Sequence, residues 1–311
     1  MQTLFPLPPG EGRGAPVAPG VFTPALSYKH RARPPMQLQS KIALITGTSP
    51  NICGGIAVGM ADAGAKVVCV DIQPENAHRC AEYIKQRSGA ALGIVCDVTD
   101  EAQVQAAVTQ ARETFGGIGI LVNGAVIFNQ KGVLDMPLAE WTRQTAVIMT
   151  GAFLFTKHVA QLMIDQGRSG SIINIVSTAG HQGEPWNIGY CTGKSGLLNF
   201  TRSVAMELAE YGIRVNSLTP TATDVTEGMA RAAEWGVPFR RPGNPSPRRR
   251  GFLSGATPGV PLGKRPSPTD YAKAAVFLAS DAAAMITGTD LRVDAGALAR
   301  YWMWDPSVPP A

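Results

Sequence analysis

The chain has 311 residues, of which 45% are hydrophobic and 16% are charged, and its formal net charge is +5 at pH 7. A chain of this size and composition can bury one large core, so we expect a single domain rather than two. No apolar run reaches the roughly eighteen residues that a membrane span needs. Because much of the positive charge lies in one arginine cluster without a nucleic-acid motif, nucleic acid is not expected as a partner.

Proline and glycine mark the parts of the chain that fall outside any regular pattern. Residues 1–35 are rich in both and have no helical period, which predicts a disordered leader, with Met36 as an alternative start of translation. Residues 238–261 combine the same residue types with five arginines. This segment is interpreted either as a solvated loop or as a lid whose arginines bind an acidic group on a substrate. The folded domain is predicted over residues 36–300, with a tail at 301–311.

The cysteines and histidines do not indicate a disulfide framework or a metal site. The five cysteines are odd in number and form no Cys-x-x-Cys pair, and the four histidines are scattered along the chain. We therefore expect free thiols in a reducing cytoplasm and no bound metal.

Strand-like and helix-like segments alternate from Lys41 to Val293, which predicts a parallel sheet with helices on both faces. The first strand, residues 41–46, runs directly into a glycine-containing turn at 47–56 and then into a helix that ends near Gly64. Free backbone N–H groups at such a helix start point at a phosphate. The turn therefore predicts an anion site.

A second strand, Lys66–Asp71, ends in a carboxylate about twenty residues beyond this turn. From that position Asp71 accepts hydrogen bonds from the hydroxyl groups of an adenosine ribose and repels a 2′-phosphate. No Lys or Arg occurs from Gly47 to Gly64, and none directly follows Asp71. The sequence therefore favours NAD(H) over NADP(H) as the cofactor.

Three polar residues further along the chain predict a proton-transfer site. Tyr190 and Lys194 are four residues apart, about one helical turn, so their side chains project from one face of a helix. A nearby cation lowers the pKa of a phenol, and the hydroxyl of Ser177, thirteen residues before the tyrosine, can hydrogen-bond a carbonyl or alkoxide oxygen. This combination suits chemistry at an alcohol carbon.

With these motifs in place, the chain resembles the short-chain dehydrogenase/reductase family over about residues 38–297. Thr46 and Gly47 match the start of the family's Thr-Gly-x-x-x-Gly-x-Gly turn, and residues 171–177, 213–216 and 286–294 resemble its later strands. The resemblance implies a single Rossmann-like, doubly wound parallel sheet of about seven strands flanked by helices. The cofactor-binding positions that it implies are Gly47, Ser49, Asn51, Ile52, Asp71, Ile72, Asp97, Val98, Asn123, Ala125, Tyr190, Lys194 and Pro220.

The resemblance also implies a reaction, which is the interconversion of a secondary alcohol and a ketone. Tyr190 is expected as the acid/base, Ser177 as the donor to the substrate oxygen, and Lys194 as the group that lowers the tyrosine pKa and binds the nicotinamide ribose. His181 and Trp186 lie on the loop that lines the substrate pocket in this family.

Two further expectations concern the lid and the assembly. Residues 221–263 fall where the family places its variable substrate loop. The family also forms homotetramers or homodimers, in which the long helices at about 138–166 and 187–211 would pair across subunits.

Several residues depart from the family pattern. Asn51 and Cys53 stand at its second and third glycines, Gly54 and Gly55 offer the turn an alternative path, and Asn-Gly-Ala-Val at 123–126 replaces Asn-Asn-Ala-Gly.

The largest departure is Ile148, which replaces the asparagine that in the family holds a local helix distortion and a water leading to the lysine. Isoleucine is expected to do neither with its side chain. Two interpretations therefore stay open: an active alcohol dehydrogenase whose relay uses backbone carbonyls and water, or an NAD(H)-binding protein with weak or lost catalysis that acts as a sensor or scaffold.

Overall fold

The computed structural model describes residues 37–239 and 260–300. The predicted leader at 1–35 and the predicted tail at 301–311 lie outside the described residues. Of the arginine-rich segment at 238–261, only the two residues at each end are described.

In the described part of the chain, seven parallel strands form one sheet. In chain order they are β1 (Ile42–Thr46), β2 (Lys66–Asp71), β3 (Ala91–Val95), β4 (Ile120–Asn123), β5 (Gly170–Ile175), β6 (Ile213–Pro220) and β7 (Asp290–Val293). Their order across the sheet is β3-β2-β1-β4-β5-β6-β7, so the chain first builds outward on one side of β1 and then on the other. The prediction of a doubly wound parallel sheet is confirmed.

Helices connect the strands. The described residues contain α1 (Ile52–Asp62), α2 (Pro74–Gln86), α3 (Glu101–Phe115), α4 (Leu138–Thr145), α5 (Gly151–Asp165), α6 (Ile188–Leu208), α7 (Thr226–Trp235) and α8 (Pro268–Ala279). The ends of α3 show how local chemistry sets such boundaries. The Asp100 carboxylate accepts hydrogen bonds from the N–H groups of Ala102 and Gln103 at its start, and Gly116, with φ +90°, ends it in the left-handed region.

Alternating strand residues build a core on each face of the sheet. Ile45 of β1 packs with side chains of α1, α2 and α8, whereas its neighbour Leu44 packs with side chains of α3 and α5. The α1–α8 contact depends on missing side chains, because a Cβ on Gly55 would lie 2.6 Å from Pro268 Cβ. Gly54 and Gly55 therefore lie inside α1 and serve close packing, rather than giving the turn another path.

One helical run in the described part of the chain, Leu138–Asp165, is long and apolar enough by length and composition to cross a membrane. It consists of α4, a five-residue π-helical turn (Ala146–Thr150) and α5. In its most apolar window, 61% is buried, and residues such as Phe155 belong to the core beneath the sheet. Burial inside the fold therefore accounts for its apolar composition.

Candidate active site

The site lies at the carboxyl ends of the central strands, where the turn after β1 meets the loop after β4. Gly47 has φ +75°, and a Cβ there would lie 2.8 Å from the Cα atom of Ala125. The Thr46 hydroxyl accepts hydrogen bonds from the N–H groups of Gly124 (3.0 Å) and Ala125 (3.2 Å). The two loops are thereby held together, with Gly47 at their closest approach.

The start of α1 is where the sequence predicts an anion site. Asn51, which replaces a family glycine, precedes the helix with φ −82°, so its backbone does not need glycine. Ile52 begins the helix, whose first turn carries no acidic side chain, and the Ser49 carbonyl accepts the Gly54 N–H at 2.9 Å. The positive end of this helix is thus left for an anion.

Two departures from the family pattern, at residues 53 and 124, lie in contact with each other. The Cys53 side chain is buried, and its Sγ atom occupies the space that a Cβ on residue 124 would need. The thiol stands where the family has glycine, and glycine stands where the family has the second asparagine. Burial raises the pKa of Cys53 to about 12, and the charge of Lys194 lowers it by less. A neutral thiol therefore fills this part of the turn between β1 and α1.

Asp71 ends β2 beside the turn, as the sequence predicts. Its side chain is buried, and one carboxylate oxygen accepts the Gln73 N–H at 2.9 Å. The next residue, Ile72, is about half exposed at 49%. A ribose bound at the α1 turn would therefore meet a carboxylate and then an apolar side chain.

Asp97 and Val98 follow β3, the edge strand that pairs with β2. The Asp97 carboxylate accepts hydrogen bonds from Thr99 and, at 2.7 Å, from the guanidinium of Arg143 on α4. Burial acts to raise the Asp97 pKa, but these hydrogen bonds together outweigh it and lower the pKa. Val98 packs on Gly151, where a Cβ would lie 2.5 Å from its Cγ2 atom. Sequence reasoning missed Arg143 because it belongs to no motif.

Two other predicted cofactor residues are built into the sheet. The amide of Asn123 is buried and donates to Thr156 (3.1 Å) and Asn174 (2.9 Å), which ties the end of β4 to β5 and α5. Pro220 is buried at the end of β6, where it pairs with Val293 of β7. The contacts of these side chains position the strand ends from which the loops leave.

The structure brings Ser177, Tyr190 and Lys194 together. Ser177 follows β5, and its side chain is close enough to Tyr190 on α6 to act to lower the pKa of that phenol. The Nζ atom of Lys194 lies 5.8 Å from the centre of the Tyr190 ring and donates to the carbonyl of Ile175 at 2.5 Å. The three side chains predicted to carry the chemistry thus meet where β5 and α6 approach each other.

Burial acts against the expected lowering of the Tyr190 pKa by Lys194, which stays a prediction. Burial raises the pKa of Tyr190 to about 12, the Ser177 side chain acts to lower that pKa, and the charges of Glu184 and Cys191 act to raise it further. Burial lowers the pKa of Lys194 itself to about 8. Tyr190 is therefore held as a proton-donating phenol.

Aromatic rings lie beside this phenol. Phe128, in the loop after β4, packs edge-on against the Tyr190 ring with the ring centres 4.7 Å apart and the planes at 71°. Trp186 packs on Gly132 of the same loop, and its own backbone is in the left-handed region with φ +59°. Trp186 was predicted as a pocket residue from its loop, whereas Phe128 carried no sequence signal.

His181, the other predicted substrate residue, has protein partners. Its Nε2 atom lies 3.2 Å from the hydroxyl of Thr219 and 3.1 Å from the carboxylate of Asp290. Asp290 also accepts hydrogen bonds from Ser217 and Thr219. The histidine thus links the loop after β5 to β6 and β7, and these contacts support a structural role for that ring nitrogen.

The helix distortion is present although Ile148 replaces the family's asparagine. Residues Ala146–Thr150 form a π-helical turn, and the Gly151 N–H bonds the Ala146 carbonyl. Ile148 is 1% exposed and packs on Gly193, where a Cβ would lie 3.0 Å from its Cγ2 atom. The π-helical turn therefore packs through Ile148 against Gly193 of α6, which lies between Tyr190 and Lys194 in sequence.

Restoring the asparagine is expected to destabilise the fold. Ile148→Asn places an amide in an apolar cluster with Ala152, Val176 and Leu197, and should lower the free energy of unfolding by about 2 kcal/mol. Ile148→Val, the matched apolar control, should cost about 1 kcal/mol. Urea unfolding measures both variants, and turnover per folded molecule of Ile148→Asn is expected to be preserved or raised. An asparagine variant as stable as the parent would contradict this description of the cluster.

Known proteins resemble the chain over most of its length. A family model described as enoyl-(acyl carrier protein) reductase matches residues 47–297. D-threitol dehydrogenase of Mycolicibacterium smegmatis is 35% identical over 260 residues, which cover 84% of this chain and 94% of that protein. Galactitol 2-dehydrogenase of Agrobacterium fabrum is 35% identical over 265 residues, with coverage of 84% and 98%.

Solved structures agree with these matches. The crystal structure of a short-chain type dehydrogenase/reductase from Mycobacterium marinum matches with a TM-score of 0.72 and 33% sequence identity, over 86% of this chain and 98% of that chain. The chain therefore belongs to the short-chain dehydrogenase/reductase family, as an oxidoreductase of the alcohol dehydrogenase type that uses a nicotinamide cofactor.

Proposed function

We propose that this protein interconverts a secondary alcohol and a ketone with NAD(H), and that Tyr190 is its acid/base. The observation that carries the proposal is that Ser177 and Lys194 both lie beside Tyr190: the Ser177 hydroxyl acts to lower the Tyr190 pKa, and the Lys194 Nζ atom, on the next turn of the same helix, lies 5.8 Å from the ring centre. D-threitol and galactitol dehydrogenases are named for polyols. Their similarity supports an alcohol that carries neighbouring hydroxyl groups as the first substrate class to test.

The residues around the β1 turn fit a dinucleotide. The first turn of α1 would hold the phosphates, Asp71 the adenosine ribose, and Val98 the adenine. Cys53 is compatible with this site because residue 124 is a glycine, which leaves room for the Cys53 thiol. When bound, the nicotinamide supplies or accepts a hydride at the substrate carbon.

The protein's own groups handle the proton. In ketone reduction, the Tyr190 phenol donates its proton to the substrate oxygen while Ser177 donates a hydrogen bond to the same oxygen. In alcohol oxidation, Tyr190 takes the proton back. Lys194, which is 2% exposed, binds the nicotinamide ribose in this proposal, and Phe128 keeps water from one side of the phenol ring.

Cofactor choice is expected to follow Asp71. Its buried carboxylate repels a 2′-phosphate, so kcat/KM should be higher with NAD(H) than with NADP(H), and Asp71→Ala should narrow that ratio by about tenfold. Steady-state kinetics with both cofactors measure the ratio. Equal use of the two cofactors by the parent enzyme would contradict the role given to this carboxylate.

The two directions of the reaction are expected to respond differently to pH. Because burial raises the Tyr190 pKa to about 12, the phenol is protonated at neutral pH and ready for reduction. Oxidation needs the deprotonated form, so its rate should rise by about tenfold per pH unit below that pKa, while the reduction rate should not rise. Measuring kcat in both directions from about pH 6 to about pH 9 checks this. An oxidation rate that is level above neutral pH would show that the phenolate already forms there.

A panel of alcohols and ketones tests the function itself. Purified protein is assayed with polyols, simple secondary alcohols and cyclic alcohols, each with NAD+ and with NADP+, alongside NADH binding by fluorescence. Turnover that is lost in Tyr190→Phe supports the enzyme. The second candidate, a cofactor-binding sensor or scaffold, is favoured by Ile148 in place of the family's asparagine, and it requires NADH binding without turnover of any compound tested.

The proposal includes a homotetramer or homodimer in the cytoplasm. Apolar side chains on the two long helices support it, since Phe153 of α5 is 48% exposed and Met206 of α6 is 80% exposed. The free cysteines, four of them buried, are in keeping with a reducing compartment. Light scattering of the purified protein measures the assembly.

A further inference from the structure

Helix α7 lies on the turn between β1 and α1. Arg231 donates a hydrogen bond from Nη1 to the carbonyl of Pro50 at 2.6 Å, across 181 residues of sequence. Three residues earlier on α7, a Cβ on Gly228 would lie 2.9 Å from the Asn51 side-chain oxygen and 3.2 Å from its Cα atom. The guanidinium of Arg231 thus lies on the turn at residues 47–56, which contains no Lys or Arg of its own.

The position of Arg231 is fixed by the anchored end of its helix. Trp235, the last residue of α7, is 3% exposed and packs against Gly54, where a Cβ would lie 2.9 Å from its ring. The Trp235 ring also packs against Tyr83 of α2, with ring centres 6.0 Å apart. This part of the predicted lid is therefore docked on the nucleotide half of the fold.

The turn that Arg231 contacts is joined to the end of β2, because the N–H groups of Gly47 and Thr48 donate to the carbonyl of Val70, the residue before Asp71. Burial raises the pKa of the Cys80 thiol on α2, and among the weaker influences Arg231 lowers it while Asp71 raises it. Both charges are therefore within electrostatic reach of one buried sulfur atom. A ribose that is hydrogen-bonded to Asp71 would have Arg231 nearby.

We propose that Arg231 is the cationic partner of a 2′-phosphate on the adenosine ribose, and that it sets how far this enzyme accepts NADP(H). The inference rests on the proposed function and deepens its cofactor specificity. Guanidinium offers five N–H donors, of which Pro50 takes one, and it pairs with phosphate more readily than with any neutral group. Asp71 and Arg231 then act in opposition, the carboxylate favouring NAD(H) and the guanidinium retaining affinity for NADP(H).

A double-mutant cycle in cofactor binding tests the proposal. The parent, Asp71→Ala, Arg231→Ala and the double variant are titrated with NADPH and NADH by fluorescence, without substrate. Arg231→Ala should weaken NADPH binding by about tenfold and NADH binding by less than about twofold. Asp71→Ala should tighten NADPH binding by about tenfold when Arg231 is present, and by no more than about twofold when it is absent.

Matched variants separate charge from structure. Arg112→Ala removes the same charge from an exposed site on α3 and should leave both affinities unchanged. Arg231→Lys keeps the charge and should retain part of the NADPH affinity that is lost in Arg231→Ala. Thermal unfolding of each variant reports whether α7 still docks.

Two results would overturn the inference. One is an equal loss of both affinities in Arg231→Ala, which would make the residue a support of the turn. The other is a full gain of NADPH binding by Asp71→Ala in the absence of Arg231. An Asp71→Ala variant without effect in either background would instead contradict the proposed preference for NAD(H), while the effect of Arg231→Ala would still decide the role of Arg231.

Discussion

Tyr190→Phe is expected to lower turnover by on the order of 10³-fold, with NADH affinity changed by no more than about twofold. The substitution removes the phenol hydroxyl beside Ser177, and it keeps the ring that packs edge-on against Phe128. Loss of the proton donor, rather than loss of packing, would therefore cause the change. Turnover in both directions and NADH titration by fluorescence measure the two effects.

A second tyrosine provides the control for this variant. Tyr211, in the short helical turn after α6, is 44% exposed, and Tyr211→Phe should leave both turnover and NADH affinity unchanged. If Tyr190→Phe keeps a substantial fraction of the parent rate, the acid/base is another group. If it loses NADH binding as well, the hydroxyl has a structural role that its contacts do not indicate.

Gly124→Ala is expected to destabilise the fold by about 3 kcal/mol. The added Cβ would overlap the Cys53 Sγ atom and approach the Thr46 carbonyl to 2.9 Å, in a buried region where the loops cannot easily part. The cost should fall by at least about 1 kcal/mol in the Cys53→Ala background, because the sulfur is then absent. Urea unfolding of the four proteins of this cycle gives the coupling energy.

Gly183→Ala is the matched control for this cycle, because a Cβ there meets no atom within 4 Å. It should change the free energy of unfolding by less than about 0.5 kcal/mol. Additive effects of Gly124→Ala and Cys53→Ala would contradict the contact between the two positions.

The sequence predicts those features that depend on short stretches of chain. The strand Lys66–Asp71 is confirmed with its predicted bounds, since an apolar run ending in a carboxylate carries the signal by itself. Tyr190 and Lys194 share a helix because four residues make about one turn. The place of Ser177 could be predicted because it depends only on the strand that precedes it along the chain. Helix bounds such as that of α1, which ends at Asp62 rather than near Gly64, depend on capping and differ by a residue or two.

Contacts between distant segments could not be predicted in the same way. Arg143 reaches Asp97 and Arg231 reaches Pro50 only once the sheet has brought α4 and α7 to the nucleotide half. Phe128 lies in a loop without a motif, and its contact with Tyr190 depends on the course of that loop. The direction of the Lys194 ammonium depends on a carbonyl of another element, so spacing on the helix could not give it.

The exchange between positions 53 and 124 restricts the order in which it can arise. A sulfur atom added at residue 53 while residue 124 still carries a side chain would meet that side chain in a closed space. A glycine at residue 124 with glycine still at residue 53 leaves only a small cavity, which a fold tolerates at modest cost. An order of substitution that keeps each intermediate well packed therefore introduces glycine at residue 124 before cysteine at residue 53.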